Sequence, residues 1–179
     1  MATPRQEALW VLRAQCDDHE ALELLFRSVQ PSLHRYVSGL VGPSHAEDVL
    51  QEVLITICRK LKSLHAPDLF RPWVYRVASR HAFHHLKKEG RLPEQAAEES
   101  VLEELPAPDI CPPAELLQEL LNLEGISPAS QAVLVLHFQD ELPLPEVAAI
   151  LEIPLGTVKS RLAYGLTAIR KQLTRKGSK

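Results

Sequence analysis

Ala21, Leu22, Leu24, Leu25, Phe26 and Val29 recur at the three- and four-residue spacing that gives a helix one apolar face. Pro31 is expected to restart a helix at its first turn, with Leu33, Tyr36, Val37 and Leu40 buried. Gly42-Pro43 should break it. Ser44-His-Ala-Glu47 reads as a capping box that opens a helix through Val49, Leu50, Val53, Leu54 and Ile57. After a loop over Lys62–Leu69, the pattern predicts a helix from about Arg71 to Lys88, with Trp73, Val77 and Leu86 facing inward. A leucine-rich helix over Ala114–Leu123 follows, ended near Gly125. Ser127-Pro128 then supplies an N-cap and a first-turn proline for a helix through Val133, Leu134, Leu136 and His137 to about Gln139. A short helix Pro145–Leu151, a turn Glu152–Leu155 and a final helix from Gly156 to about Leu173 have the spacing of a helix-turn-helix.

Between the two helical groups, residues 92–115 hold five of the fourteen prolines, seven carboxylates and no Lys or Arg. Proline removes backbone donors and like charges repel, so this stretch is expected to be an extended linker. The predicted class is therefore all-α: two small helical domains, 1–91 and 116–179, joined by an acidic Pro-rich linker at 92–115. The 179 residues suffice for that, and a hydrophobic content of 45% fits a globular chain. No run approaches the roughly 18 apolar residues of a membrane span. The N-terminus carries charges inside its apolar pattern and does not read as a signal peptide, so no membrane insertion and a cytoplasmic location are expected. Cys16, Cys58 and Cys111 form no C-x-x-C pair, which suggests small buried or incidental residues and no disulfide framework or zinc site.

The net charge of −3 conceals a segregation. Residues 1–91 carry +3, the linker −7, residues 116–155 −6, and residues 156–179 carry +7 with no acid. A polyanion responds to that local potential and not to the total. Within the basic terminal helix, Val158, Leu162, Ile169 and Leu173 share one stripe, predicted to pack on the preceding short helix. Thr157, Ser160 and Tyr164 fall on the far side, flanked by Lys159 and Arg161. Small hydroxyls and cations on the first turns suit entry into a major groove, where cations neutralise phosphate and Thr157, Ser160 and Arg161 reach base edges. A merely solvated basic face is the alternative; the helix-turn-helix spacing favours DNA.

The segment 153-IPLGTVKSRL-162 resembles the −35 reader of bacterial RNA polymerase sigma factors of the extracytoplasmic-function group. Glu47-Asp48-Val49-Leu50-Gln51-Glu52-Val53 is similar to the group's E-D-x-x-Q-E-x helix, and Phe70-Arg-Pro-Trp73-Val-Tyr-Arg-Val-Ala78 to its F-x-x-W-L-x-x-I-A helix. Order, linker and length agree, over about 18–90 and 114–173. The resemblance implies a transcription initiation factor with no catalysis and no cofactor, one that binds core RNA polymerase through its beta-prime clamp and beta subunits and directs it to promoter DNA. Asp48, Gln51 and Glu52 would dock on the clamp; their spacing puts them on one face. The −10 element would be gripped by the loop Lys62–Leu69, including Lys62 and His65, and by Arg76, Arg80, His84 and Lys87 on the next helix. Thr157, Lys159, Ser160, Arg161 and Tyr164 would read the −35 element. A dedicated anti-sigma protein is a further implied partner.

The chain departs from the group's pattern at Arg80, at His84 and after Leu162, where Ala163-Tyr164-Gly165 replaces x-R-A. Gly165 gives up about 1 kcal/mol of helix propensity relative to Ala, which close packing would explain. Pro143 stands where the group has a capping Ser, so the cap should come from elsewhere. Trp73 reads as core in preference to a base-stacking ring. His81, His84 and His85 share i, i+3, i+4 spacing, yet nothing nearby completes a metal set, and no metal is expected. The runner-up function is a one-component regulator that binds operator duplex without polymerase, for which the Asp48–Glu52 and Phe70–Ala78 helices have no use. A metal-dependent enzyme built on the histidines is a weaker third.

Overall fold

The structure is a computed structural model that describes residues 3–91 and 126–176. All regular structure among them is helical. The chain divides into two units, 1–85 and 86–179, the division falling inside a continuous helix. The expected linker at 92–115 and the helix Ala114–Leu123 lie outside the described residues.

In the first unit, α1 (Pro4–Gln15) is an element the apolar periodicity did not suggest. It is opened by a capping box in which the Thr3 hydroxyl accepts from the Gln6 amide while the Gln6 side chain accepts from the Thr3 amide. Helix α2 (His19–Val41) begins at Asp18, whose carboxylate accepts from the Ala21 amide. It runs without interruption through Pro31, contrary to the expected restart. Val29, Leu33, Tyr36 and Val37 form one fully buried face across the proline, and that burial outweighs a missing backbone bond. Gly42, at φ +91°, breaks the chain as expected. Helix α3 (Pro43–Lys60) then starts two residues earlier than the capping box required. Ser44 is already inside the helix, and no side chain caps it.

Two short 3-10 turns, Leu61–Ser63 and Pro67–Leu69, shape the loop before α4 (Phe70–Lys88). Leu25, Leu33, Tyr36, Val53, Ile57, Phe70 and Val74 form the core. The Ser79 hydroxyl donates to the Tyr75 carbonyl at 2.8 Å, so the Tyr36 hydroxyl is the donor in their 2.7 Å bond. Trp73, expected inside, is half-buried, and Val77 and Leu86 are buried as expected. Cys16 and Cys58 are exposed, not buried.

The corner between α1 and α2 is acidic. The backbone bond from Ala21 and the Arg13 guanidinium hold the Asp18 carboxyl below its ordinary value of 3.8. A carboxyl lowered by folding contributes stability above its unfolded value and loses it as pH falls through the folded one. Acid titration of unfolding should therefore show a steeper loss below pH about 4 than in Asp18→Asn, which cannot titrate.

In the second unit, α5 (Pro128–Leu134) starts at Ser127, whose hydroxyl accepts from the Ser130 amide as the sequence predicts. It passes into a π turn over Val135–Gln139. Helix α6 (Leu144–Leu151) has no side-chain cap; the Pro143 carbonyl takes the amides of Glu146 and Val147, so the expected substitute cap is absent there. Glu152, at φ +56°, ends α6, and α7 (Leu155–Lys176) follows. Val158, Leu162, Leu166 and Ile169 are buried, whereas Leu173, expected in that stripe, is 45% exposed.

Gly165 accounts for its own presence. A Cβ there would lie 2.7 Å from Leu134 Cδ1 and 3.1 Å from its Cγ, and Leu134 is fully buried on α5. The gain in propensity from Gly165→Ala is about 1 kcal/mol, while overpacking costs about 1–3. We expect a net loss of about 0–2 kcal/mol in chemical denaturation, and a much larger loss for Gly165→Leu.

Candidate nucleic-acid interface

On α3 the buried positions Ala46, Val49, Leu50, Val53 and Ile57 leave Asp48, Gln51 and Glu52 exposed on the opposite side. Ile55 continues that side and is 43% exposed, a residue the motif did not single out. An aliphatic side chain among carboxylates is what a protein partner, more than a nucleic acid, would cover. Glu52 is not isolated: its Oε2 lies 3.2 Å from His81 Nδ1, and the other ring nitrogen of His81 is 3.0 Å from the Thr56 hydroxyl. His81 therefore turns toward α3. His85 stacks obliquely on His45 with centroids 4.9 Å apart, and His84 is exposed. The three histidines do not converge.

Lys62 and His65 are exposed in the loop, with Lys62 Nζ 2.6 Å from Asp17 Oδ1. Along α4, Arg80, His84 and Lys87 are exposed and Arg76 is half-buried, at the three- and four-residue steps of one stripe. Lys87 lies beyond the division between the units. The half-buried Trp73 ring stays partly accessible, which leaves base stacking open to it.

On α7, Lys159 is exposed while Thr157, Ser160, Arg161 and Tyr164 are half-buried. The Ser160 hydroxyl donates back to the carbonyls of Gly156 and Thr157, at 3.0 and 3.2 Å. Tyr164 borders a cleft of about 360 Å³ together with Ser127, Ser130 and Lys171. The N-terminal half of α7 thus presents cations and small polar groups, and its other side is fixed by Val158 and Leu162.

Sequence reasoning missed the α1 side of the first unit. Glu7 is only 3% exposed and takes both parallel bonds of the Arg71 guanidinium, at 2.8 and 2.6 Å. Gln15 donates to two carbonyls of the loop, those of Leu61 and Leu64, at 2.9 and 2.8 Å. Thr3-Pro4-Arg5-Gln6 was the available signal for this helix.

Among the described residues, one unit carries a helix face of exposed carboxylates and the other a helix-turn-helix, the equipment of a DNA-directed protein. Two family models match the chain: Sigma-70 region 2 over residues 25–92, and Sigma-70 region 4 over 123–171. The chain belongs to the sigma-70 family, as a sigma factor of the extracytoplasmic-function group. It is similar to the ECF RNA polymerase sigma-E factor of Escherichia coli strain K12, 28% identical across 94% of this chain and 95% of that protein. The RNA polymerase sigma-H factor of Pseudomonas aeruginosa is 26% identical across 97% and 96%. The fold is similar to that of CnrH, solved with the cytosolic domain of CnrY, with a TM-score of 0.66, 19% identity and 95% of this chain covered. It is also similar to the sigma factor RpoE of Bartonella quintana, solved with the anti-sigma factor NepR, with a TM-score of 0.63, 20% identity and 85% covered.

The protein is accordingly a transcription initiation factor that directs RNA polymerase to promoter DNA, and it is not an enzyme. The operator-only regulator is not favoured, because the region 2 match covers the two helices that such a regulator would leave idle. Among the described residues no helix is long and apolar enough to cross a membrane.

Proposed function

We propose that residues 1–91 form the polymerase-docking and −10-opening domain, 92–115 the linker, and 116–179 the −35-reading domain. Asp48, Gln51 and Glu52 dock on the clamp of the beta-prime subunit. Lys62, His65, Arg76, Arg80, His84 and Lys87 track the −10 strand. Thr157, Lys159, Ser160, Arg161 and Tyr164 meet the −35 duplex. The work is done in the cytoplasm, where polymerase and promoter are found together, and a dedicated anti-sigma protein holds the factor inactive, in line with the partners of the two solved relatives.

The observation that supports this reading most is the division of α3, with five buried apolar residues on one side and exposed Asp48, Gln51, Glu52 and Ile55 on the other. The deciding experiment is run-off transcription of genomic fragments by core polymerase with and without the purified chain. Discrete new transcripts are expected. None at all, from a folded chain that comigrates with core, would overturn promoter direction.

Within that assay, Arg161→Ala should weaken binding to a recovered promoter by about 10- to 100-fold, the worth of one guanidinium–base contact. Lys159→Ala should instead weaken all sequences alike and flatten the salt dependence. A further expectation concerns the linker: its −7 charge opposes the +7 of residues 156–179. Neutralising the linker acids should raise duplex binding by the free chain at low salt, and unchanged binding would remove the linker from that role.

A further inference from the structure

The loop from Leu61 to Leu69 has only two single-turn 3-10 segments of its own, yet two of its carbonyls are held from outside by a side chain almost fifty positions earlier in sequence. Gln15, at the last turn of α1, spends both amide protons on Leu61 O and Leu64 O. These acceptors bracket Lys62 and Ser63. Two residues beyond Gln15, Asp17 takes the Lys62 ammonium at 2.6 Å, and the side chains of the pair are 74% and 62% exposed. Asp17 sits at φ +65°, a conformation Asp tolerates better than most residues, so the corner is turned to aim its carboxylate. Arg13 ties the corner down through Asp18 at 2.8 Å, and the Glu7–Arg71 pair joins α1 to the start of α4.

We propose that the α1–α2 corner is the positioning device of the −10 loop: Gln15 sets the loop's shape, and Asp17 occupies Lys62 until single-stranded DNA phosphate replaces it. This rests on the reading that the loop grips the −10 strand. The two interactions differ in character. The Gln15 bonds are part-buried and bidentate, so they hold whether or not DNA is present. The Asp17–Lys62 pair is exposed, and exposed pairs are worth little in water, so a phosphate displaces the carboxylate without a large penalty. Gln15 thus supports strand capture, and Asp17 competes with it. Substitutions at two neighbouring sites should consequently act in opposite directions.

The test uses holoenzyme, core polymerase with the full chain, on a promoter recovered by run-off transcription, with permanganate reporting unpaired thymines around −10. A filter assay with the matching single-stranded −10 oligonucleotide reports capture. Gln15→Glu keeps the size but sets a carboxylate against two carbonyl oxygens; Gln15→Met removes the donors without adding charge. Both should lower permanganate reactivity by about tenfold or more while core binding and the duplex −35 footprint stay unchanged. Asp17→Asn should raise oligonucleotide capture several-fold at low salt, where the competitor matters most, so that its capture declines with salt more steeply than that of the wild type. A purely structural corner would give losses at both sites, which overturns the proposal. Glycine in place of Leu64, His65 and Ala66 separates the proposal from its foundation. If that loop variant fails to melt while both Gln15 variants, shown folded by thermal unfolding, melt normally, the positioning role is wrong and the loop reading stands. If the loop variant melts normally, the loop reading falls and takes the proposal with it.

Discussion

Arg71→Ala should cost about 3–5 kcal/mol in urea denaturation. The reason is the asymmetry of the pair. Glu7 is 3% exposed and its two oxygens are both used by Arg71, whose side chain is 32% exposed and also reaches the Ser28 carbonyl at 3.4 Å. Removing the guanidinium leaves a buried carboxylate with nothing of opposite charge to face, a far greater penalty than the pair's net worth. A double variant, Glu7→Leu with Arg71→Met, should therefore be more stable than Arg71→Ala alone. If the losses of Glu7→Leu and Arg71→Met, each measured alone, simply add in the double variant, the Glu7–Arg71 pair is not coupled.

Charge reversal of the α3 face proposed to dock on polymerase should have the largest functional effect. With Asp48→Lys and Glu52→Lys together, comigration with core polymerase on size exclusion is expected to disappear, a loss of at least about 100-fold in affinity. Asp48 is the cleaner half of this experiment, because Glu52 also faces His81. Asp48→Lys alone should keep the thermal stability of the wild type, since the residue is exposed. Undiminished comigration by the folded double variant would mean that these carboxylates do not carry the docking, with Ile55 on the same side of α3 the next residue to change.

Local signals carried much of the fold. The Gly42-Pro43 break, the Ser127 cap, α4 and the short α6–turn–α7 spacing all depend on residues a few positions apart, and all stand where the pattern predicts. Pro31 does not: a continuous apolar face across it lets packing override a local helix breaker, which no window of a few residues can weigh. Ser44 lost its expected role because Pro43 is itself a favourable first helical residue. Leu173 follows the right stripe but is exposed near the end of α7. Trp73 fits a helical register whose neighbours bury Val74 and Tyr75 in preference.

The candidate site shows the same contrast. Which side of α3 is exposed was legible from periodicity; on α7 the buried Val158, Leu162 and Ile169 were, but Thr157, Ser160, Arg161 and Tyr164 are half-buried and Leu173 is exposed. Which side chains reach across the unit was not. Gln15 meets Leu61 and Leu64 at separations of 46 and 49 residues, and His81 meets Glu52 at 29. Nothing in a single sequence distinguishes such a glutamine or histidine from a solvated one. The histidine triplet illustrates the converse: ideal ligand spacing on one helix, yet each ring in a different environment.

The backward bond of Ser160 has a consequence for what α7 can tell apart. A hydroxyl has one proton, and this one is committed to the carbonyls of Gly156 and Thr157. Only oxygen lone pairs remain to face outward. In a major groove these select the amino hydrogens of adenine N6 or cytosine N4 and are repelled by the acceptor edge of guanine. Arg161, one position on, offers only donors and has the opposite preference. Adjacent residues on one turn would thus sort the bases of a promoter by opposite polarity, an alphabet written by which hydrogen has already been given away.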